Sequence, residues 1–339
     1  MKIGIETESC HLLFQNKKMD IFDFIERAAA YGYDGVMINL IEKKNLLGGW
    51  GALGSKDMFH LQRVKQCLQK HHLFVELDTR GTSYSHLRSV LELADFFGAD
   101  VVRTFVMSGP AYTYQNLGGT YEANSLQEAV VDLKQVIPLL KKYRIRLAIE
   151  NHELETIEEL IKLLSQVESP WVGLTFDVGN TINAWEDPVT ACQKAAPYTF
   201  AVHLKDAEVF QYNAAYYVRG TSLGKGNIDL KSICNILYEK STLTRCIVEL
   251  CHPYASSFKR PKGTGGVSQL GKGAFSIGKP LFTSRDIKPE QYYTYDGERL
   301  PELMDMQLHN FETAASFFKN IFHECEAKYS YENRGDIND

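Results

Sequence analysis

Short apolar runs alternate with amphipathic stretches along most of this 339-residue chain. The apolar runs are typical of β-strands, and the stretches between them keep the spacing of apolar residues found in helices. Predicted strands lie near residues 3–7, 35–40, 73–77, 101–107, 146–151, 171–177, 199–205 and 245–250. Eight strand–helix units in sequence predict an α/β fold, a (β/α)₈ TIM barrel whose parallel strands are buried on both faces.

A doubly wound open sheet is the alternative fold for such an alternation. It predicts a glycine-rich turn for phosphate after the first strand, but residues 6–10 contain no glycine. A barrel runs from about 200 to more than 400 residues as one unit. We therefore expect one TIM-barrel domain over residues 1–327, followed by a polar C-terminal tail over 328–339.

One stretch, residues 252–305, interrupts the alternation and lacks clear periodicity. It follows the eighth strand, so we expect an extended, flexible loop over the active-site face of the barrel. Its glycine-rich segments 262–266 and 271–273 match no Walker motif, although a phosphate cradle is a second interpretation. Aromatic residues in 212–217 and 292–295 are placed on loops, where they either pack or form a lid.

Charge and cysteine content exclude several classes of protein. The net charge of −5 argues against a nucleic-acid partner, which needs a basic surface. The seven cysteines contain no Cys-x-x-Cys pair and are expected to be reduced. The sequence shows neither a signal peptide nor an apolar run long enough to span a membrane. We expect a cytoplasmic protein. The sequence does not decide whether it forms a homo-oligomer through the long loop.

Four consecutive strands end in side chains that bind metals. They are Glu150, Asp177, His203 and Glu249 on predicted strands five to eight. The carboxyl ends of barrel strands meet at one face, and buried carboxylates held close together repel unless a cation or protons neutralise them. Three carboxylates and one imidazole suit a divalent ion, Mn²⁺ or Mg²⁺ first, with Co²⁺ and Zn²⁺ as further options.

The runs around these residues resemble the xylose isomerase-like TIM-barrel family. They are Ala-Ile-Glu-Asn-His at 148–152, Thr-Phe-Asp-Val-Gly-Asn at 175–180, Val-His-Leu-Lys-Asp at 202–206 and Ile-Val-Glu at 247–249. The likeness covers roughly residues 1–327 apart from the long loop. This family contains sugar and sugar-phosphate isomerases and epimerases, and also dehydratases and decarboxylases of oxo sugar acids such as 3-oxo-isoapionate.

The resemblance implies that Glu150, Asp177, His203 and Glu249 bind one divalent metal ion. It also implies that Glu150 and Glu249 are catalytic and act as an acid/base pair. A metal stabilises the enediolate formed when a carbon-bound proton leaves, and the carboxylates remove and return that proton. Lys205 faces the same side as His203 by strand alternation. We expect it to be a third catalytic group that holds a substrate oxyanion or carboxylate, or else to pair with Asp206 or a neighbour.

Further polar residues near the strand ends are candidates for substrate binding: Arg103, Asn180, His152, Arg80 and Glu6. An arginine such as Arg103 suits a bidentate carboxylate or phosphate. Ketose 3-epimerases of the family carry a histidine three residues after the aspartate ligand and an arginine six residues after the histidine ligand. Asn180 and Val209 stand there in this chain, which makes epimerisation of a free sugar less favoured.

The sequence therefore predicts a metal-dependent isomerase or epimerase of a sugar or sugar derivative, acting through a metal-stabilised enediolate. The alternative is a lyase, a decarboxylase or dehydratase of an oxo sugar acid, because decarboxylation leaves the same enolate. The apurinic-site endonucleases of the family need extra histidines on earlier strands, where Asp78 and Arg103 stand instead. A barrel without catalytic activity is a further alternative, and such a protein would bind no metal. The expected partner is a small carbohydrate or sugar acid.

Overall fold

The computed structural model describes residues 1–41, 50–106, 125–279 and 295–335. In chain order its strands are β1 (Lys2–Glu6), β2 (Gly35–Asn39), β3 (Phe74–Asp78), β4 (Val101–Phe105), β5 (Arg146–Glu150), β6 (Val172–Asp177), β7 (Thr199–Leu204), β8 (Asp206–Tyr212), β9 (Ala215–Thr221), β10 (Arg245–Val248), β11 (Ala255–Ser257) and β12 (Ile277–Gly278). Within these residues, β1 to β7 and β10 form a closed barrel in which β1 pairs in parallel with both β2 and β10. The predicted TIM barrel is confirmed.

Helices connect the strands and pack their apolar faces on the outside of the barrel. Those described are α1 (His11–Gln15), α2 (Ile21–Ala30), α3 (Met58–Lys70), α4 (Tyr84–Phe97), α5 (Leu126–Tyr143), α6 (Ile157–Val167), α7 (Asn180–Asn183), α8 (Pro188–Ala195), α9 (Leu230–Lys240) and α10 (Leu300–Gly335). Their starts follow ordinary capping rules, since the Thr156 side chain accepts a hydrogen bond from Glu159 N at the start of α6. No described helix combines the length and the apolar character needed to cross a membrane.

The last helix, α10, continues past residue 327 to Gly335. The first residues placed in the polar tail therefore lie in the last turns of this helix. The division of the chain into one barrel domain and a tail otherwise stays a prediction.

A second, four-stranded sheet lies beyond the end of β7. The strands β8 and β9 form an antiparallel hairpin, and the sheet has the order β11-β9-β8-β12. The sequence placed the aromatic residues of 212–217 on a loop, which is wrong for Tyr212, Tyr216 and Tyr217, since all three lie in strands. The hairpin forms because Val209 and Phe210 bury their side chains completely.

Residues 252–279, the first described part of the long segment, are held by specific contacts. The Trp185 ring stacks on Phe258 at 4.3 Å between centroids, and its Nε1 donates to Arg260 O at 3.1 Å. The Arg260 guanidinium in turn forms a bidentate pair with Glu159 at 3.0 and 2.9 Å. The expectation of a flexible, structureless loop is wrong for this part. Residues 280–294, including most of the second aromatic cluster, lie outside the described residues.

Glu186 gives the fold a testable dependence on pH. Its carboxylate is buried and accepts a hydrogen bond from Ile157 N at 3.0 Å, at the start of α6. Burial raises the pKa of Glu186 from its ordinary 4.5 to about 7. The proton bound on folding stabilises the protein fully below pH 4.5, and this contribution is lost as the pH rises through 7.

We therefore expect Glu186→Gln to remove part of the pH dependence of folding stability. As the pH rises from 5 to 8, the unfolding free energy of wild type should fall by on the order of 2 kcal/mol more than that of the variant. Urea denaturation at both pH values measures this, with exposed Glu168→Gln as the matched control. An equal wild-type-to-variant difference at the two pH values would contradict the account of Glu186.

Candidate metal centre

The strand ends bring four metal-ligating side chains together inside the barrel mouth. Glu150 ends β5, Asp177 ends β6, His203 lies in β7 and Glu249 directly follows β10. One ligand atom from each lies within 4.8 Å of the others. The first three side chains are completely buried, and Glu249 is 6% exposed. The predicted set therefore converges, with Glu249 nearest to solvent.

The His203 ring turns its Nδ1 atom toward the three carboxylates. This nitrogen lies 2.8 Å from Glu150 Oε1, 3.2 Å from Glu249 Oε2 and 3.6 Å from Asp177 Oδ2. Within the described part of the chain these four atoms make no hydrogen bond, although the Asp177 and Glu249 oxygens also form ion pairs with Lys205. Buried polar atoms without hydrogen bonds are costly. A divalent cation satisfies all four at once, and three oxygens with one imidazole suit a hard or borderline ion.

Behind the ring, Nε2 of His203 faces Glu6 and Met37. The distances are 3.5 Å to Glu6 Oε2 and 3.2 Å to Met37 Sδ. Burial raises the pKa of Glu6 well above its usual range, and the charges of Glu249 and Asp78 add to this effect. Glu6 thus lies on the side of the ring opposite to the ligand atoms.

Lys205 is the cation closest to the ligand oxygens. Its Nζ lies 2.7 Å from Asp177 Oδ2 and also pairs with Glu249 Oε2. Burial alone would lower the pKa of Lys205, but Asp177 and Glu249 raise it well above its usual range. Burial would also raise the pKa of Glu249, and the charges of Lys205 and His203 hold it well below its usual range.

The alternative partner of Lys205, Asp206, is occupied elsewhere. Its Oδ2 accepts hydrogen bonds from the backbone nitrogens of Gly224 and Gly226, both at 2.9 Å. These bonds hold the turn that precedes α9. A β-carbon added at Gly226 would run into the Asp206 carboxyl group, so this position requires glycine. Lys205 therefore pairs with neighbours in the barrel mouth.

Arg103 is buried beneath the ligand cluster. Its guanidinium pairs with Asp78 and with Glu150 Oε2, and it donates to Thr79 O at 3.1 Å. Burial opposes the charge, yet Asp78 and Glu150 raise the pKa of Arg103. The arginine expected to bind substrate thus contacts one oxygen of Glu150, while the other oxygen faces His203.

The remaining candidates lie close to the same mouth. The His152 ring stacks on Phe105 at 3.9 Å between centroids, and burial, aided by the charge of Arg103, lowers the pKa of His152 to about 4. Asn180 donates its backbone N–H to Asp177 Oδ1 at 2.9 Å and thereby orients that ligand. Arg80 follows β3 and is half-buried.

Two features near the centre were not anticipated. Asn151 joins the ends of β5 and β6, because its Nδ2 donates to Asp177 O at 2.9 Å and its Oδ1 accepts from Asp177 N at 2.8 Å. The sequence feature that could have identified Asn151 is its position directly after Glu150. Ser256 donates to Glu153 Oε1 at 2.6 Å and ties the segment after β10 to the loop after β5. No local pattern in the sequence indicates this pair.

Comparisons with known proteins show the family and the fold. The model of the family described as xylose isomerase-like TIM barrel matches residues 25–266. The 3-oxo-isoapionate decarboxylase of Pectobacterium atrosepticum is 24% identical over 61% of this chain and 72% of that protein.

Two solved structures have the same fold. The D-psicose 3-epimerase of Clostridium cellulolyticum H10, solved with D-tagatose, has a TM-score of 0.62 at 12% identity and covers 95% of this chain and 99% of its own. The IolI protein, solved with a bound zinc atom, has a TM-score of 0.57 at 15% identity. The match covers 93% of this chain and 99% of the IolI chain. At these identities the likeness concerns the fold alone.

Removing one ligand should weaken metal binding. We expect Asp177→Asn to raise the dissociation constant for Mn²⁺ by about 100-fold or more, because a charged ligand becomes neutral and Oδ2 is the atom that faces the cluster. Isothermal titration of metal-free protein measures this. The exposed Asp95→Asn variant is the control, and wild-type affinity in Asp177→Asn would contradict the assignment.

Proposed function

We propose that this chain, which belongs to the xylose isomerase-like TIM barrel family, is a divalent-metal-dependent isomerase or epimerase of a sugar or sugar derivative. The observation that carries the proposal is the convergence of four buried ligand atoms at the barrel mouth. Glu150, Asp177, His203 and Glu249 would hold the ion, with Mn²⁺ or Mg²⁺ most suited to the donor set and Co²⁺ or Zn²⁺ as alternatives.

When bound, the ion stabilises the negative charge that develops on the substrate oxygens as an enediolate forms. Proton transfer falls to the two glutamates. Glu249 is the more suitable base, since it is the most exposed of the four ligand residues. We keep Glu150 as the residue that returns the proton; since one of its oxygens faces the ion, the other would have to leave Arg103 to do so.

Lys205 supplies positive charge beside the reacting atoms. Its ammonium lies against Asp177 and Glu249, and it can donate to a substrate oxyanion once a cation neutralises those carboxylates. We keep it as a catalytic residue for this reason. Arg80, Asn180 and His152 remain proposed substrate contacts on the rim.

Glu6 and Arg103, both expected to bind substrate, are proposed to orient ligands as well. Glu6 Oε2 lies 3.5 Å from His203 Nε2, where a small movement would let it accept the Nε2–H and leave Nδ1 for the ion; such carboxylate partners commonly tune metal-binding histidines. Arg103 holds the second oxygen of Glu150. Their burial argues for this inner role over direct substrate contact.

The second candidate function is a lyase of an oxo sugar acid. The similarity to a 3-oxo-isoapionate decarboxylase favours it, and loss of CO₂ leaves an enolate that the same residues stabilise. Val209, at the place of the epimerase arginine, is completely buried in β8, so no cation stands there to hold a free sugar. Under either function we expect a small-molecule substrate, no nucleic-acid partner and a cytoplasmic location.

Loss of the proposed base should abolish turnover. We expect Glu249→Gln to lower kcat by about 10²–10⁴-fold, because the amide cannot take a proton. The assay incubates Mn²⁺-loaded protein with ketoses and 3-oxo sugar acids in D₂O and follows deuterium uptake and CO₂ release. The exposed Glu239→Gln variant is the control.

The two readouts separate the candidate reactions. Deuterium uptake at carbon without CO₂ supports the isomerase and excludes the decarboxylase, whereas CO₂ release does the reverse. Unchanged turnover in Glu249→Gln would show that the proposed site is wrong.

The role of Glu6 has a separate test. We expect Glu6→Ala to weaken Mn²⁺ binding by about 10–100-fold, with partial recovery in Glu6→Gln, whose amide oxygen still accepts the Nε2–H. Equilibrium metal titration measures both variants. If Glu6 instead contacts substrate, KM rises while metal affinity stays at the wild-type value.

A further inference from the structure

A second group of metal-ligating side chains lies on the outer surface of the barrel, between α2 and α3. We propose that Glu26, Cys67 and His71 bind one thiophilic divalent ion, such as Zn²⁺ or Cd²⁺, through a carboxylate, a thiolate and an imidazole. His71 directly follows α3, and two residues separate it from the start of β3. The site therefore lies toward the end of the barrel where the strands begin, away from the mouth.

The positions of the three ligands suit such an ion. Cys67 and His71 are four residues apart, so they project from one face of α3, and Glu26 meets them from α2. Cys67 Sγ lies 3.7 Å from Glu26 Oε1, and His71 Nε2 lies 2.7 Å from Glu26 Oε2. A tetrahedral zinc ion with bonds of about 2.0–2.3 Å places its ligand atoms about 3.3–3.8 Å apart, so small side-chain rotations suffice.

Lys70 is the described residue that competes with an ion for Glu26, and its side chain can move away. Glu26 Oε1 accepts a hydrogen bond from Lys70 Nζ at 2.8 Å. The side chain of Lys70 is 64% exposed and can leave Glu26 for water. Cys67 loses its proton to solvent when the metal–sulfur bond forms, and water fills the fourth position.

The donor atoms distinguish this site from the barrel centre. The barrel centre offers three carboxylates and one imidazole, a set that accepts Mn²⁺. The surface site contains a thiolate, which favours Zn²⁺ and Cd²⁺ over Mn²⁺. We therefore expect Mn²⁺ to bind at one site per chain and Cd²⁺ to bind at a further one. An ion that bridges α2 and α3 also stabilises the folded state by mass action.

The test titrates Cd²⁺ into the full-length, Mn²⁺-loaded protein and follows the ultraviolet absorption of cadmium–thiolate bonds. We expect a band that saturates at one equivalent, disappears in Cys67→Ser and requires about tenfold more Cd²⁺ in His71→Gln. The neighbouring exposed His72→Gln is the matched control. Lys70→Ala should tighten Cd²⁺ binding, because the competing ammonium is gone.

Two results would overturn the proposal. One is a band of wild-type size in Cys67→Ser, and the other is the lack of any thiolate band in wild type and in Lys70→Ala at saturating Cd²⁺. The Asp177→Asn variant separates this proposal from the barrel centre, since it should lose Mn²⁺ and keep the cadmium–thiolate band. Loss of the band in that variant would mean that the thiolate site does not exist independently.

Discussion

Repulsion between buried carboxylates is the constraint on which the barrel mouth depends. Glu150, Asp177 and Glu249 converge on one point inside the protein, where water cannot screen their charges. Two buried cations, Arg103 and Lys205, offset part of this charge from below and from the side. A divalent ion at the point of convergence would offset the rest, and in that case metal binding would also stabilise the folded mouth.

Three of the four proposed ligands have a neighbour on the atom that does not face the cluster, whereas Lys205 pairs with the inward oxygens of Asp177 and Glu249. Asp177 receives backbone hydrogen bonds on Oδ1, which leaves Oδ2 to face inward. Glu150 has one oxygen on Arg103 and one toward His203, while His203 has Glu6 behind its ring. In Asp177, Glu150 and His203, this division into an outer atom with a neighbour and an inward atom is the preorganisation that a metal site would require.

The barrel and the ligand positions follow from the sequence because they depend on local patterns. Parallel strands buried on both faces appear as apolar runs, and their carboxyl ends must meet, so four strand ends were enough to predict the centre. The inner role of Arg103 was not predictable, since its partner Asp78 lies 25 residues away and pairs through barrel register. The β8–β9 hairpin was missed because Tyr-rich strands at a barrel rim resemble an aromatic loop, and only tertiary packing distinguishes them.

Anomalous diffraction from crystals of the Mn²⁺-loaded protein tests the central claim most directly. We expect one strong manganese peak per chain, at about 2.0–2.4 Å from His203 Nδ1 and from carboxylate oxygens of Glu150, Asp177 and Glu249. Glu6 should then lie within hydrogen-bond distance of His203 Nε2. A fully loaded protein whose manganese peak lies elsewhere, or whose His203 does not contact the ion, would contradict the account.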